Sequence, residues 1–200
     1  MTVSAPGKAA AFSLIEMLIV IALMVVMYVM LLSFGSQAHQ RTQKELCADN
    51  LQKIFLAVQI YGNDFGRYPR DTNAQTSEQV LNALVPRYTS DTSIFICPGG
   101  RDSTIPSGAS LTNSKISYAW YMGRATNDPV TFLMSDRQIN TLSKNTGDQV
   151  FSLDGKSPGN NHSKFGGNVL FSDGSVQSTP PMAAFSLAFS DGVVLLNPKP

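Results

Sequence analysis

The chain has 200 residues, of which 43% are hydrophobic and only 14% charged, with 15 Lys and Arg against 14 Asp and Glu. A net charge of +1 excludes a polybasic nucleic-acid binder, which needs clustered cations to neutralise phosphates, and the composition is too apolar for a self-repelling disordered chain. Two Cys exclude a disulfide-dense scaffold and a four-Cys zinc site, while 15 Gly and 11 Pro are ordinary for a loop-rich globular protein.

The apolar residues are concentrated near the N-terminus. Residues 12–35 read FSLIEMLIVIALMVVMYVMLLSFG, and no charge occurs from Met17 to Phe34. As a helix, Leu14 to Phe34 would span roughly 32 Å at ~1.5 Å per residue, enough to cross a hydrocarbon core of about 30 Å. Helix is the expectation because lipid offers no partner for unpaired backbone groups. One reading is a cleaved secretory signal, with Lys8 as the positive region and Ser36-Gln37-Ala38 as the cleavage site; the apolar run is long for that, and it contains Glu16. An uncleaved signal anchor fits the length and leaves Glu16 unexplained.

Glu16 supports a third reading. A carboxylate in a membrane helix costs about 2.5–3.5 kcal/mol at the bilayer centre, less near the interface, and usually has a partner. Cleavage between Ala11 and Phe12 would create an amine at Phe12, one helical turn from Glu16. The two could pair within a chain, or between staggered chains in a stack of parallel helices.

Lys8, Ala11, the run Phe12-Ser13-Leu14-Ile15-Glu16 and the apolar stretch after it resemble a type IV prepilin leader and cleavage site. The resemblance implies a leader at 1–11, removal by a prepilin peptidase, N-methylation of Phe12 and a role for Glu16 in subunit assembly. It also implies an inner-membrane assembly platform as partner and a single-pass bacterial inner-membrane location, with the remaining chain facing the periplasm or exterior. The flanking charges Lys8, Arg41, Lys44 and Glu45 leave orientation undecided by themselves. The family normally has Gly before the cut, where this chain has Ala11; cutting after Gly7 would leave Lys8 at the new terminus.

Beyond the span at 12–35, Leu46, Leu51, Ile54, Phe55, Val58 and Tyr61 form one apolar stripe, predicting an amphipathic helix over 36–63, with Gly35 a soft point before it. Gly66 and Pro69 end helix. Gly66-Arg67-Tyr68-Pro69 and the segment Ser77 to Pro86 resemble the post-helix region of type II secretion major pseudopilins. A short helix is predicted over 78–84, with Ser77 as N-cap and Pro86 as stop.

Residues 64–200 read as a loop-rich β head. Strands are predicted at Ser93–Cys97, Ile116–Met122, Val130–Ser135 and Gln149–Leu153. Phe171-Ser172-Asp173-Gly174-Ser175-Val176 recurs as Phe189-Ser190-Asp191-Gly192-Val193-Val194. Each Asp-Gly suits a type I′ turn, predicting hairpins at 168–178 and 185–196. His162, the ten-residue spacer, Asp173 and Gly174 resemble the His-spacer-Asp-Gly motif of a prepilin-associated family, whose usual spacer is nine residues. Cys47-x-x-Asn50-Leu51, Phe95-Ile96-Cys97-Pro98 and Met134-Ser135-Asp136-Arg137 fit the same family. The motif's role is unassigned.

Cys47 and Cys97 could form one disulfide in an oxidising compartment, or remain two buried thiols. His162 reads as a structural histidine holding a loop, and no metal-ligand set is assigned to it. No nucleophile–base pair, phosphate loop or HExxH occurs. Calcium enters through the resemblance, with Asp148, Asp154 and Asp173 able to supply oxygens and Asp-rich turns as the alternative.

The expected fold is α+β: a long N-terminal transmembrane and amphipathic helix packed on a small antiparallel, pilin-like sheet. The expected function is a non-enzymatic structural subunit of a type II secretion pseudopilus or type IV pilus-like fibre, in a homopolymer or mixed fibre. The alternatives are a membrane-tethered, non-polymerising binding module and a soluble secreted protein released after Ala38.

Overall fold

The computed structural model of the chain describes residues 13–200, with the main chain alone for residues 32–38. The leader and the Ala11–Phe12 junction lie outside the described residues. Helix α1 runs Leu14–Phe65, and short helix α2 runs Ser77–Leu81. Strands β1 (Tyr118–Met122), β2 (Phe132–Asp136), β3 (Gly167–Phe171), β4 (Val176–Thr179) and β5 (Val194–Leu196) follow. They form one antiparallel sheet of order β4-β3-β2-β1-β5.

The described residues divide into two units, 13–39 and 40–200. In the first, the window Leu14–Leu31 has mean hydropathy 2.8 and none of it is buried. The helix is long and apolar enough to cross a membrane.

In the second unit both faces of the sheet are covered. Cys47, Leu51, Ile54 and Val58 of α1 pack with Trp120, Met134, Leu170 and Leu196. Their spacing of three and four puts them on one helix face. Leu46 is half-exposed, so the buried stripe starts at Cys47 and not at Leu46. On the other face Tyr121, Phe132, Val169 and Leu195 pack with Val150, Phe151 and Leu187 from the loops. Neighbouring strand residues alternate between faces, as pleating requires. A bulge in β2 breaks the alternation: Phe132 and Met134 oppose the adjacent residues Phe171 and Leu170, so Leu133 is extra. Leu133 and Met134 therefore share a cluster.

Helix α1 runs two residues past the expected end at 63, to Phe65, and stops at Gly66, whose φ is +66° and whose N–H donates to the Gly62 carbonyl at 2.8 Å. The following turn is anchored by Trp120, whose Nε1 donates to the Pro69 carbonyl at 3.2 Å. The short helix starts one residue earlier than expected, with Thr76 as N-cap and a 3-10 turn over Asn82–Leu84 completing it. Ser77 is buried, and its hydroxyl donates to the Tyr118 carbonyl at 2.8 Å, tying α2 to β1.

Two expected strands are absent. Ser93–Cys97 is replaced by a 3-10 turn over Thr92–Phe95, because the Asp91 carboxylate accepts from the Ser93 N–H at 3.1 Å and caps it. Gln149–Leu153 makes one isolated bridge, Gln149 to Met182. Its neighbours there are Pro180 and Pro181, which have no N–H to continue a ladder.

The hairpin expected at 168–178 is present as β3 and β4, with a different turn. Gly174 N–H donates to the Phe171 carbonyl at 3.0 Å, and Gly174 has φ +84° while Asp173 does not enter the left-handed region. This is a type I turn closed by a left-handed glycine, and not type I′. The second Asp-Gly does not make the hairpin expected at 185–196. β5 pairs with β1, while Leu187 and Phe189 donate main-chain N–H groups to the Lys144 carbonyl and the Ser143 hydroxyl.

Candidate functional site

Two features stand out among the described residues: the bare apolar helix with Glu16 in its first turn, and a buried polar cluster in the second unit.

Glu16 is exposed, and its N–H donates to the Ser13 carbonyl at 3.0 Å. Phe12, its expected partner, lies outside the described residues.

The cluster joins four distant segments. Cys47 comes from α1 and Cys97 from the loop after the 3-10 turn, while Asp136 ends β2 and His162 sits in the turn leading into β3. Cys47 and Cys97 are bonded across a Cα separation of 5.3 Å, which resolves the open choice between a disulfide and two thiols. All four side chains are at most 1% exposed. His162 Nε2 lies 3.1 Å from Asp136 Oδ2 and 3.5 Å from Cys97 Sγ. The same Asp136 oxygen accepts the Asn168 N–H at 2.7 Å, and Oδ1 accepts from the Asn161 amide at 3.2 Å. Asn161 also donates to the Ser117 carbonyl at 2.7 Å, which fixes its amide orientation.

The surroundings hold this arrangement in place. Asn168 reaches from β3 to the Lys44 carbonyl of α1 at 2.9 Å, and Lys44 Nζ donates to the Phe165 carbonyl at 2.8 Å. Asn50 donates to the Ile96 carbonyl at 3.2 Å, beside Cys97. Burial holds the Lys44 ammonium below its usual pKa, with the Asp136 charge opposing. Burial and the Asp136 charge together push the Tyr118 phenol well up, so it stays protonated.

His162 is fully buried and contacts Asp136 and Cys97. Its partner is Asp136, and not Asp173. Asp173 accepts from the Ser175 N–H at 2.9 Å within the β3–β4 turn, and Gly174 supplies that turn's left-handed residue. The sequence motif therefore joins two separate jobs, a core clamp and a hairpin turn. The sequence assigns Asp136 no role of its own; its one signal is the Met134-Ser135-Asp136-Arg137 segment.

Asp148, Asp154 and Asp173 do not form a convergent group of ligand atoms among the described residues. Asp148 accepts from the Asn145 N–H, Asp154 from Ser152 and the Lys156 N–H, and Asp173 from Ser175. Each closes its own turn.

A polar cleft of about 550 Å³ opens beside the cluster, lined among others by Arg101, Asp102, Lys115, Arg137 and Lys156. Asp102 is paired with Arg137 at 3.2 Å and accepts from Ser117 at 2.7 Å.

No protein-family model, curated protein or solved structure matches the chain.

Proposed function

We propose that the protein is a pilin-like structural subunit of a type II secretion pseudopilus or type IV pilus-like fibre. In this reading, a prepilin peptidase cuts between Ala11 and Phe12 and the new amine is methylated. Leu14–Leu31 sits in the bacterial inner membrane, and the second unit faces the periplasm or exterior. Copies assemble on an inner-membrane platform, alone or with other pilin-like subunits, through their N-terminal helices. The Phe12 amine of one copy meets Glu16 of the next, and the ion pair offsets the cost of a carboxylate in hydrocarbon.

The observation that carries this reading is the Leu14–Leu31 segment, wholly unburied with hydropathy 2.8, with one acid in its first turn. The antiparallel sheet and the buried Cys–His–Asp cluster, which ties α1, β2 and two loops together, support a structural role.

The test combines N-terminal sequencing of protein from its native host with a Glu16→Ala variant. N-methyl-Phe at position 12 and loss of fibres in the variant are expected. An intact leader overturns the processing step. Normal membrane insertion with no fibre in either form points to a tethered, non-polymerising module, and an N-terminus at His39 to a secreted protein.

A further inference from the structure

We propose that Cys47, Cys97, His162 and Asp136 form a tetrahedral site for a zinc-class divalent ion when the Cys47–Cys97 bond is reduced. Their ligand atoms, Sγ, Sγ, a ring nitrogen and a carboxylate oxygen, all lie within 4.8 Å of one another. Two thiolates, an imidazole and a carboxylate are a donor set that tetrahedral Zn(II) accepts, at about 2.3 Å to sulfur and about 2.0–2.2 Å to nitrogen and oxygen. Tetrahedral angles at those bond lengths put ligand atoms roughly 3–4 Å apart. The His162 Nε2 spacings of 3.1 Å to Asp136 and 3.5 Å to Cys97 already fall in that range. The main adjustment is separation of the two sulfurs once their bond is gone.

The surrounding residues suit such a site. Nε2 is the nitrogen turned toward both Asp136 and Cys97, so it is the ligating atom. The N–H that then remains at Nδ1 is buried without a protein partner, a cost that the site carries. Gly99 leaves room for the ring: a Cβ there would lie 2.8 Å from Nδ1. Asp136 is oriented by the Asn168 N–H and the Asn161 amide, the kind of outer contact that aims a metal ligand. All four ligands are buried, so water does not compete for the ion.

The chemistry balances with a named reductant. A dithiol supplies two electrons and two protons, is itself oxidised to a disulfide, and leaves two thiols at Cys47 and Cys97. Binding of the divalent ion then displaces both thiol protons to solvent. With Asp136 ionised and His162 neutral, the loaded site carries one negative charge, which the nearby Lys44 ammonium offsets. The same clamp between α1, the 97 loop, β2 and the 162 turn is then closed either by a sulfur–sulfur bond or by a metal.

The test uses the full chain in detergent micelles. The protein is reduced with a water-soluble phosphine, which takes up the oxygen of one water as the thiols form, and is desalted without oxygen. It is titrated with Co(II), then Zn(II). The chain has two Cys in all, so any cobalt–thiolate charge-transfer band comes from these two sulfurs. A single saturable equivalent is expected, with the intense visible bands of tetrahedral cobalt, displaced by zinc and absent from unreduced protein. Zinc should also raise the melting temperature of the reduced chain. Asp136→Asn and His162→Gln should each weaken cobalt binding by at least ~10-fold. The proposal is overturned by a reduced chain that shows no thiolate band or gains no thermal stability from zinc. It is equally overturned if both variants bind as tightly as the parent, meaning that the sulfurs alone hold the ion.

Discussion

Asp136 and His162 stand 26 residues apart in sequence and meet at 3.1 Å with neither side chain exposed. Asp136 is the more heavily used of the two, accepting from His162, Asn161 and the Asn168 main chain. Asp136→Asn keeps the shape but sets an amide N–H against groups that also donate. The oxidised chain should lose about 3 kcal/mol, the cost of breaking a buried charged network from one side. Urea unfolding in detergent measures it, and a loss below about 1 kcal/mol would show that the network is dispensable.

Reduction without metal should also destabilise the second unit. The Cys47–Cys97 bond closes a separation of 50 residues. Chain-entropy reasoning for that loop gives about 4 kcal/mol. A Cys47→Ala/Cys97→Ala chain should show a comparable loss in the same urea experiment, and the two losses should not add when the variant is treated with reductant.

Gly99→Ala tests the crowding around His162. The added methyl would lie 2.6 Å from the Asn161 carbonyl oxygen and 2.8 Å from His162 Nδ1. One contact is backbone and the other a packed ring, so neither yields cheaply. A loss of roughly 1–3 kcal/mol is expected. Gly147→Ala is not a neutral control, because Gly147 has φ +90°. Gly62, whose built Cβ has no neighbour nearer than 3.6 Å, is the better comparison.

Lys144 gives the molecule a pH response. Its ammonium is buried and donates to the Asn140 and Leu142 carbonyls at 3.2 and 2.9 Å. Burial lowers its pKa from 10.5 to about 8, with Asp148 opposing. Between those two values the unfolded chain holds a proton that the folded chain has released. Unfolding therefore takes up a proton, and stability rises with pH across that window. Below the lower value both states are protonated, and the folded state bears the whole cost of the buried charge. The stability difference between the parent and Lys144→Met should shift in the parent's favour from pH 8 to pH 10.5. A pH-independent difference would mean that Lys144 titrates normally.

Features written in local sequence were legible. The Leu14–Leu31 span, the stop at Gly66, the stripe of Leu51, Ile54 and Val58, and strands β1 to β4 follow from hydropathy, period and turn residues. Features that depend on remote partners were not. Asp-Gly at 173–174 and at 191–192 carries the same local signal, yet only the first closes a hairpin. The residues before Asp191 bond to Ser143 and Lys144 instead. The strand expected at Gln149–Leu153 fails because the chain opposite it is Pro180-Pro181. Cys47, Cys97, Asp136 and His162 meet only after α1, β2 and the 162 turn have packed, and no spacing in the sequence announces that meeting.

The sheet's two borders limit what copies of this protein can do to each other. β5 is three residues long, and β4 is short, with its middle residues Gln177 and Ser178 exposed. Neither offers a long apolar rim for a strand from another molecule to zip onto. Two copies brought edge to edge would find only three or four residues of main chain to pair on either side. Growth of the sheet from one copy into the next, the usual route to runaway β-stacking, is disfavoured at both ends.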